Sequence, residues 1–449
     1  MNEQIKVGFS RVDITPEKFG PMAGFGNDVR RITTNVFDRI FGTCVAITDR
    51  DHSTVLLYTL DLAGVSAVRA ETYRQAITAA TGIAGDKIML AGTHTHSGPS
   101  VNGDSPVVDA YHDDVAKWLA KAAREALEDQ APATICVGSG IAERMSFDRH
   151  YLNTEGQFIG SGHGYPRESV SAHVSDPDWQ IQLIRFVRED ARDILLMNWQ
   201  AHVTFVGGPE DDTNLSADYV GVCRDQVEGR TGCRFAFFQG ACGNLTPNSN
   251  VAGENRYDQT LNPRMRYIPY GKILADEVLK VLENMHPIQA GPIRTQQVLF
   301  AAPVDHSEDH RLAEANLAWD QFYEWSPEER KKQMKKFGFN GRLHAGAIRN
   351  RARLGATENM ELNAITIGDL GFATVPYEMF CSNGKFIKEN SPCKMTFVLG
   401  YCNGMFAYLA DEQLFQYGDD AYEVYNRRYP RGTAEKIAST HVEMLKELK

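Results

Sequence analysis

The strongest constraint on this fold is a set of short runs that are apolar at nearly every position instead of every second one. They are Ile88-Met89-Leu90, Ile194-Leu195-Leu196-Met197, Phe235-Ala236-Phe237-Phe238, Gly371 to Val375 and Met395 to Leu399. A strand that is apolar on both faces must be covered on both, which predicts sheets buried beneath helices. Polar chemistry is then displaced to the strand ends, where layered sheets bind their ligands. Each run ends in residues suited to a single site: His94 and His96, His202, Asn244 and Thr246, Glu378, and Tyr408. The expected fold class is α/β, with mixed β-sheets layered with helices and a zinc site at the strand ends.

The first of these ends, Lys87 to Pro99, reads KIMLAGTHTHSGP. Histidines at i and i+2 project to the same side of an extended backbone, and the following Gly98-Pro99 fixes a loop. Alone, such a pair is more often a surface or hydrogen-bonded pair than a metal site. Each of the other residues could likewise do no more than cap its own strand. Taken together, two imidazoles, one carboxylate and a fourth oxygen donor compose a catalytic zinc site with room for water.

The remaining chain supports one large α/β unit over 1–449, although the length alone would allow two or three domains. Val7 to Ile14 reads as a strand, followed by a Gly/Pro-rich loop around Gly24. Strands are expected over Val36 to Asp49, Ser53 to Leu62, Thr134 to Gly140, Gln180 to Val187 and Pro292 to Val304. Helices are expected over Val68 to Ala80, Val108 to Glu128, Tyr219 to Glu228, Tyr270 to Met285 and around Ile437 to Leu448. Residues 250–268 read as polar and irregular, and a glycine-rich loop runs through His163 and Gly164. A charged helical insertion or cover is expected at about 306–356, with Trp319, Phe322, Tyr323 and Trp325 as its apolar face.

With 47 basic and 58 acidic residues the net charge is −11, which argues against nucleic acid as a partner and leaves no polybasic patch for a membrane. No run approaches the roughly 18 apolar residues of a membrane span. The eight cysteines form no CxxC pair, and buried free thiols are expected. With no apolar leader before the first strand, a cytoplasmic location is expected unless a leader has been trimmed.

The motifs resemble the catalytic domain of the neutral, non-lysosomal ceramidases, from VGFSRVDITP near the start to Gly400-Tyr401…Tyr408 near the end. The THTHSGP loop is the most specific element. The resemblance implies one zinc per chain, held by His94, by His202 of Asn198-Trp199-Gln-Ala-His202, by Glu378 of Pro376-Tyr377-Glu378, and by Tyr408. It places His96, Arg149 of Phe147-Asp148-Arg149 and Tyr422 in the substrate site, with Gly24 as the loop glycine. Two departures stand out. Threonine replaces the family's serine in Gly243-Asn244-Leu245-Thr246-Pro247-Asn248, keeping a hydroxyl but restricting its rotamers. The secretion signal and C-terminal β domain of full ceramidases are not seen in this sequence.

The function these features imply is hydrolysis of an amide (N-acyl) bond at one zinc ion, on a small soluble substrate. His96 would stabilise the developing oxyanion or shuttle a proton, Arg149 and Tyr422 would hold substrate, and Thr246 would position substrate or water. A zinc hydrolase of an ester or sugar-derived substrate is the nearest alternative, because fold does not dictate the bond cleaved. A catalytically silent metal-binding or interaction protein is an alternative of another class. No reading of the residues bears on oligomeric state.

Overall fold

The structure, a computed structural model, describes residues 5–25, 31–102, 105–161, 170–207, 213–248, 263–405 and 407–449. Its largest sheet has the strand order Arg234–Gln239, Ile194–Trp199, Gln180–Arg188, Ala131–Ile141, Ile5–Asp13, Phe41–Thr48, Thr54–Leu60, Ile88–Gly92. A second sheet runs Ile293–Pro303, Thr357–Ile367, Leu370–Thr374, Met395–Leu399. The two lie face to face. Val45, Ile47, Val55 and Leu57 share one core with Ile365, Ile367, Phe372 and Phe397.

The alternate residues of the same strands supply the outer layers, as a side-chain period of two requires. Cys44, Ala46, Leu56 and Tyr58 pack against Tyr73, Ile77, Val115 and Leu119 of the helices Ala67–Thr81 and Pro106–Glu128. Leu195, Met197, Phe235 and Phe237 meet Val220, Leu274 and Val278 of the helices Asp218–Thr231 and Pro263–Leu282. Beyond the second sheet, Leu362, Ala364 and Val398 meet Ile437 and Leu445 of the helix Thr433–Glu447. The order is helix, sheet, sheet, helix. At about 1.5–3 kcal/mol for each large apolar side chain buried, coverage of both faces explains why the strands read as unbroken apolar runs.

Within the two large sheets three strand pairs are parallel: Ile194–Trp199 with Arg234–Gln239, Thr54–Leu60 with Ile88–Gly92, and Leu370–Thr374 with Met395–Leu399. Loops leaving their carboxyl ends are tied together by main-chain bonds. Gly400 N donates to Gln239 O at 2.8 Å, Gly92 N to Tyr401 O at 3.2 Å and Gly243 N to Met379 O at 2.8 Å. Asn198 joins the two sheets, its Nδ2 donating to Phe238 O and Val398 O at 3.0 Å each. The rim where both sheets end is therefore one surface.

Several boundaries differ from expectation. The run from Val36 to Asp49 is two strands, Asn35–Val36 and Phe41–Thr48, because Phe37 N and Asp38 N both bond to Leu215 O and draw the chain off the sheet. The helix expected from Tyr270 begins at Pro263 and ends at Leu282. Proline is well suited to a first helical position, and burial of Tyr267 and Tyr270 carries the helix past Pro269. The earlier part of the expected irregular stretch, and the loop through His163 and Gly164, lie outside the described residues.

The cover consists of the helices Leu312–Gln321, Pro327–Phe337 and Arg342–Arg351. It hangs from the tip of an antiparallel hairpin in which Pro303 pairs with Thr357. Its buried core is Ala315, Ala318, Met334, Phe339, Ala345 and Ile348. The four aromatics expected as its apolar face are half-buried; Phe322 and Trp325 pack against that core, and Trp319 carries the Arg342 guanidinium 3.5 Å above its ring. All eight cysteines are unpaired, six of them buried. Among the described residues no helix is long and apolar enough to cross a membrane.

Candidate active site

The strand Ile88–Gly92 is buried throughout and passes close to another backbone. A Cβ on Gly92 would lie 2.6 Å from Gly64 Cα. The chain then turns sharply, with His94 in a left-handed conformation at φ 68°. The two histidines thus meet through a kinked loop and not through the alternation of a strand. His94 N donates to Leu62 O at 2.9 Å, and His96 N donates to Val203 O at 3.0 Å. The His94 ring stacks on Tyr401 at 3.7 Å, and its Nε2 stands 3.1 Å from His96 Nε2.

Backbone carbonyls set the tautomers of two rings. His94 Nδ1 donates to Ala63 O at 2.7 Å, and His202 Nδ1 donates to Leu245 O at 2.9 Å. Each Nε2 is left with a lone pair. Both lone pairs face Glu378, whose Oε2 is 3.5 Å from His94 Nε2 and 3.2 Å from His202 Nε2. Three electron-pair donors converge in a buried place, and His202 Nε2 has no hydrogen-bond partner among the described residues. Such an arrangement is costly unless a cation sits among the donors. The ligand nitrogens of His94, His96 and His202 also lie within 4.8 Å of one another, a group able to hold a metal ion.

Electrostatics agree with that state. Burial pushes His202 down to about 4, and burial with the neighbouring histidines holds His96 well below the usual imidazole value. Burial would raise the Glu378 carboxyl, but the His94 and His202 imidazoles outweigh it and hold it well below the usual range. Imidazoles that resist protonation, as those of His96 and His202 do, beside an ionised carboxylate are what a divalent cation requires. The N and O donor set suits zinc.

Tyr408 reaches this group by register. Glu378–Met379 pairs in parallel with Tyr408–Leu409, and Glu378 is the direct partner of Tyr408. Residues opposite each other in a ladder project to the same face, so carboxylate and phenol come side by side. Gly243 permits the approach, because a Cβ there would meet Glu378 O at 2.6 Å. Thr246 lies on Leu245–Pro247, which pairs with Ser146–Asp148, and His202 N donates to Leu245 O in the same segment.

Arg149 follows Ser146–Asp148, with its amide donating to Asn244 O at 3.0 Å. Its guanidinium carbon is 5.1 Å from the Tyr408 ring centre. Tyr422 meets Tyr408 edge-on at 5.7 Å. Gly24 sits at φ 95°, and a Cβ there would lie 2.6 Å from His96 Cβ, so only glycine lets the loop close over that histidine.

One cavity of about 710 Å³ is lined by Gly24, His94, His96, Arg149, His202, Thr246, Glu378, Tyr408 and Tyr422, which is every site residue singled out in the sequence. Sequence reasoning did not find its other walls: Phe25, Asn102 and Thr204 near the histidines, Asn340 and Leu343 from the cover, and Asp420 and Tyr425 beside Tyr422. Only adjacency to Tyr422 could have suggested the last two.

No family model matches the sequence. Among solved structures, neutral ceramidase from Pseudomonas aeruginosa is similar with a TM-score of 0.72 and 17% identity, over 99% of this chain and 74% of that one. A ceramidase complexed with C2 is similar with a TM-score of 0.72 and 16% identity, over 99% of this chain and 75% of that one. This chain shares the neutral ceramidase fold along almost its entire length.

Proposed function

We propose that this chain is a zinc-dependent hydrolase of the neutral ceramidase family that cleaves the amide bond of a small, soluble N-acyl substrate. The observation that carries this reading is the convergence of the His94, His202 and Glu378 lone pairs in a buried cavity. His94, His202, Glu378 and Tyr408 would hold one zinc ion, which supplies Lewis acidity and an acidified water when bound. His96, neutral and next to His94, takes up and passes a proton at its imidazole as the amine departs. Arg149 and Tyr422 hold the substrate's polar atoms across the cavity, and the Thr246 hydroxyl positions substrate or water. Polar groups near the cover and mouth, Asn102, Asn340 and Asp420, favour a substrate with hydrogen-bonding groups over a long bare acyl chain. Eight unpaired cysteines fit a reducing compartment, in line with the cytoplasmic location expected.

The test joins metal analysis to turnover. One zinc per chain is expected, with short-chain N-acyl compounds cleaved faster than long-chain ceramide in micelles. A strong preference for the long-chain lipid removes the small-substrate part of the reading. Full zinc with no cleavage of amides, esters or sugar amides points to a silent metal-binding protein.

A further inference from the structure

Behind the part of the cavity wall that carries Arg149 lies a chain of buried charges. Arg149 Nε and Nη2 donate to Glu423 Oε1 at 2.9 and 2.5 Å. The other oxygen of Glu423 is 2.7 Å from His150 Nε2, and His150 Nδ1 is 2.6 Å from Asp148 Oδ1. Both ring nitrogens of His150 face carboxylate oxygens, so both bonds form only if the ring is an imidazolium. Asp148 Oδ2 is satisfied in turn by Ser175 N at 3.1 Å and Asn244 Nδ2 at 3.2 Å. Asn244 Oδ1 accepts from Cys381 N at 2.9 Å, three residues beyond Glu378. The Phe158 and Phe380 rings stack on His150 at 6.3 and 5.7 Å.

The signs alternate from cation to anion along four residues, and only one end reaches the cavity. The Arg149 side chain is 14% exposed, while those of Glu423, His150 and Asp148 are 0%, 0% and 1%. Buried ion pairs seldom outdo apolar packing as a source of stability, because desolvation offsets their attraction. Two guanidinium N–H groups converging on one carboxylate oxygen restrict the orientation of the guanidinium plane. Sharing Glu423 with a second cation also keeps that carboxylate from cancelling the arginine charge on the cavity side.

We propose that Glu423 and His150 are positioning residues, which hold the Arg149 guanidinium rigid and charged to receive a substrate oxygen in the cavity beside Tyr408. The proposal rests on the cavity being the active site of the hydrolase described above. His150 is held up to about 9, since Glu423 and Asp148 outweigh the burial that would lower it. Among the described residues Glu423 and Asp148 face it at hydrogen-bond distance, with Asp411 at longer range.

The test has two arms. With butyryl 4-nitroanilide as probe, Glu423→Gln and His150→Gln each lower kcat/KM by on the order of ten- to a hundredfold at unchanged zinc content. In an Arg149→Ala background the same Glu423→Gln change costs no more than about twofold further, because the residue acts through Arg149. Guanidinium added to Arg149→Ala restores turnover only while Glu423 is intact. Additive losses in the cycle, or equal rescue without Glu423, overturn the proposal. The second arm needs neither substrate nor a stable variant: histidine-labelled wild-type protein is titrated by NMR. A His150 resonance still charged at pH 8 supports the chain, and one that loses its proton below pH 7 overturns it. Failure of the wild type to cleave any N-acyl probe counts against the hydrolase reading, and the titration then decides the chain alone.

Discussion

One wall of the cavity and the layer behind its Arg149 wall each hold buried histidines, and His202 and His150 stand in opposite protonation states. On one wall His94 and His202 give their Nδ1 protons to backbone carbonyls, and burial drives His202 down to about 4. Behind the other, His150 lies between Asp148 and Glu423 and is held up to about 9. Both rings are fully buried, so burial does not separate them. The partner at the second nitrogen does. A carbonyl fixes a tautomer and leaves a lone pair free for a metal, whereas two carboxylates demand a second proton and use both nitrogens.

The distinction breaks most visibly at the first wall. His94→Ala and His202→Ala should each lose nearly all bound zinc and more than about a thousandfold in turnover, roughly 4 kcal/mol of barrier. Full zinc by metal analysis in either variant would end the metal assignment. At the second wall the expected loss is one of stability. Glu423→Ala orphans two buried cations and should lower the unfolding free energy of the metal-free protein by about 3–5 kcal/mol. His202→Ala, which orphans only a carbonyl, should cost about 1–3 kcal/mol. Urea melts giving equal losses would erase the contrast.

The pH dependence should divide the same way. His150 is raised from an ordinary value of 6.5, so its stabilisation is complete below about pH 6.5 and is lost as the pH climbs through about 9. Glu423 is lowered to about 2, and its contribution, present above about pH 4.5, is lost only as the pH falls through about 2. His202 is lowered, so the unfolded chain takes up a proton first and the metal-free protein weakens as the pH falls from about 6.5 toward 4. Each histidine's effect is on the order of 3 kcal/mol. Urea midpoints across pH should lose their alkaline decline in His150→Gln and their acid decline in His202→Ala. The same decline surviving in both variants would refute the assignment of charge.

The smallest expected effect tests the space between the walls. Thr246→Ala should slow turnover by about ten- to a hundredfold, or 1.4–2.7 kcal/mol, and Thr246→Ser should be tolerated. An inactive Thr246→Ala that keeps its zinc, with an acyl adduct trapped on the wild type, would make threonine the nucleophile instead.

The first wall was legible in the sequence because each of its residues ends an apolar run, and layered sheets bring such ends together. The second was not. Glu423 lies 274 residues from Arg149, and no spacing rule links a carboxylate after Tyr422 to a histidine after Arg149. Of Asp148-Arg149-His150 only Arg149 stood out, through the family resemblance, and nothing marked its two neighbours. The kink at His94 was equally hidden, since nothing in Thr93-His94-Thr95 demands a positive φ. It follows from the pull of Leu62 O and Ala63 O on the main chain and ring. Half-burial of Trp319 in the cover was missed because an apolar side chain carrying a guanidinium reads the same as one in a core.

The cover enters and leaves through neighbouring residues, with Val304 N bonded to Ala356 O just past the pair Pro303 and Thr357. A segment attached in this way behaves as a cassette. Its length can drift at little entropic cost, since closing a loop of twice the length adds only about 0.6 kcal/mol. The hairpin beneath would keep its register throughout. Asn340 and Leu343 travel with that cassette, while every proposed metal ligand belongs to the layered frame. Selection, or an engineer, could therefore exchange the cassette to change what the cavity admits and keep the metal ligands, provided the contacts of His344 with Tyr425 and of Arg351 with Arg427 O were preserved.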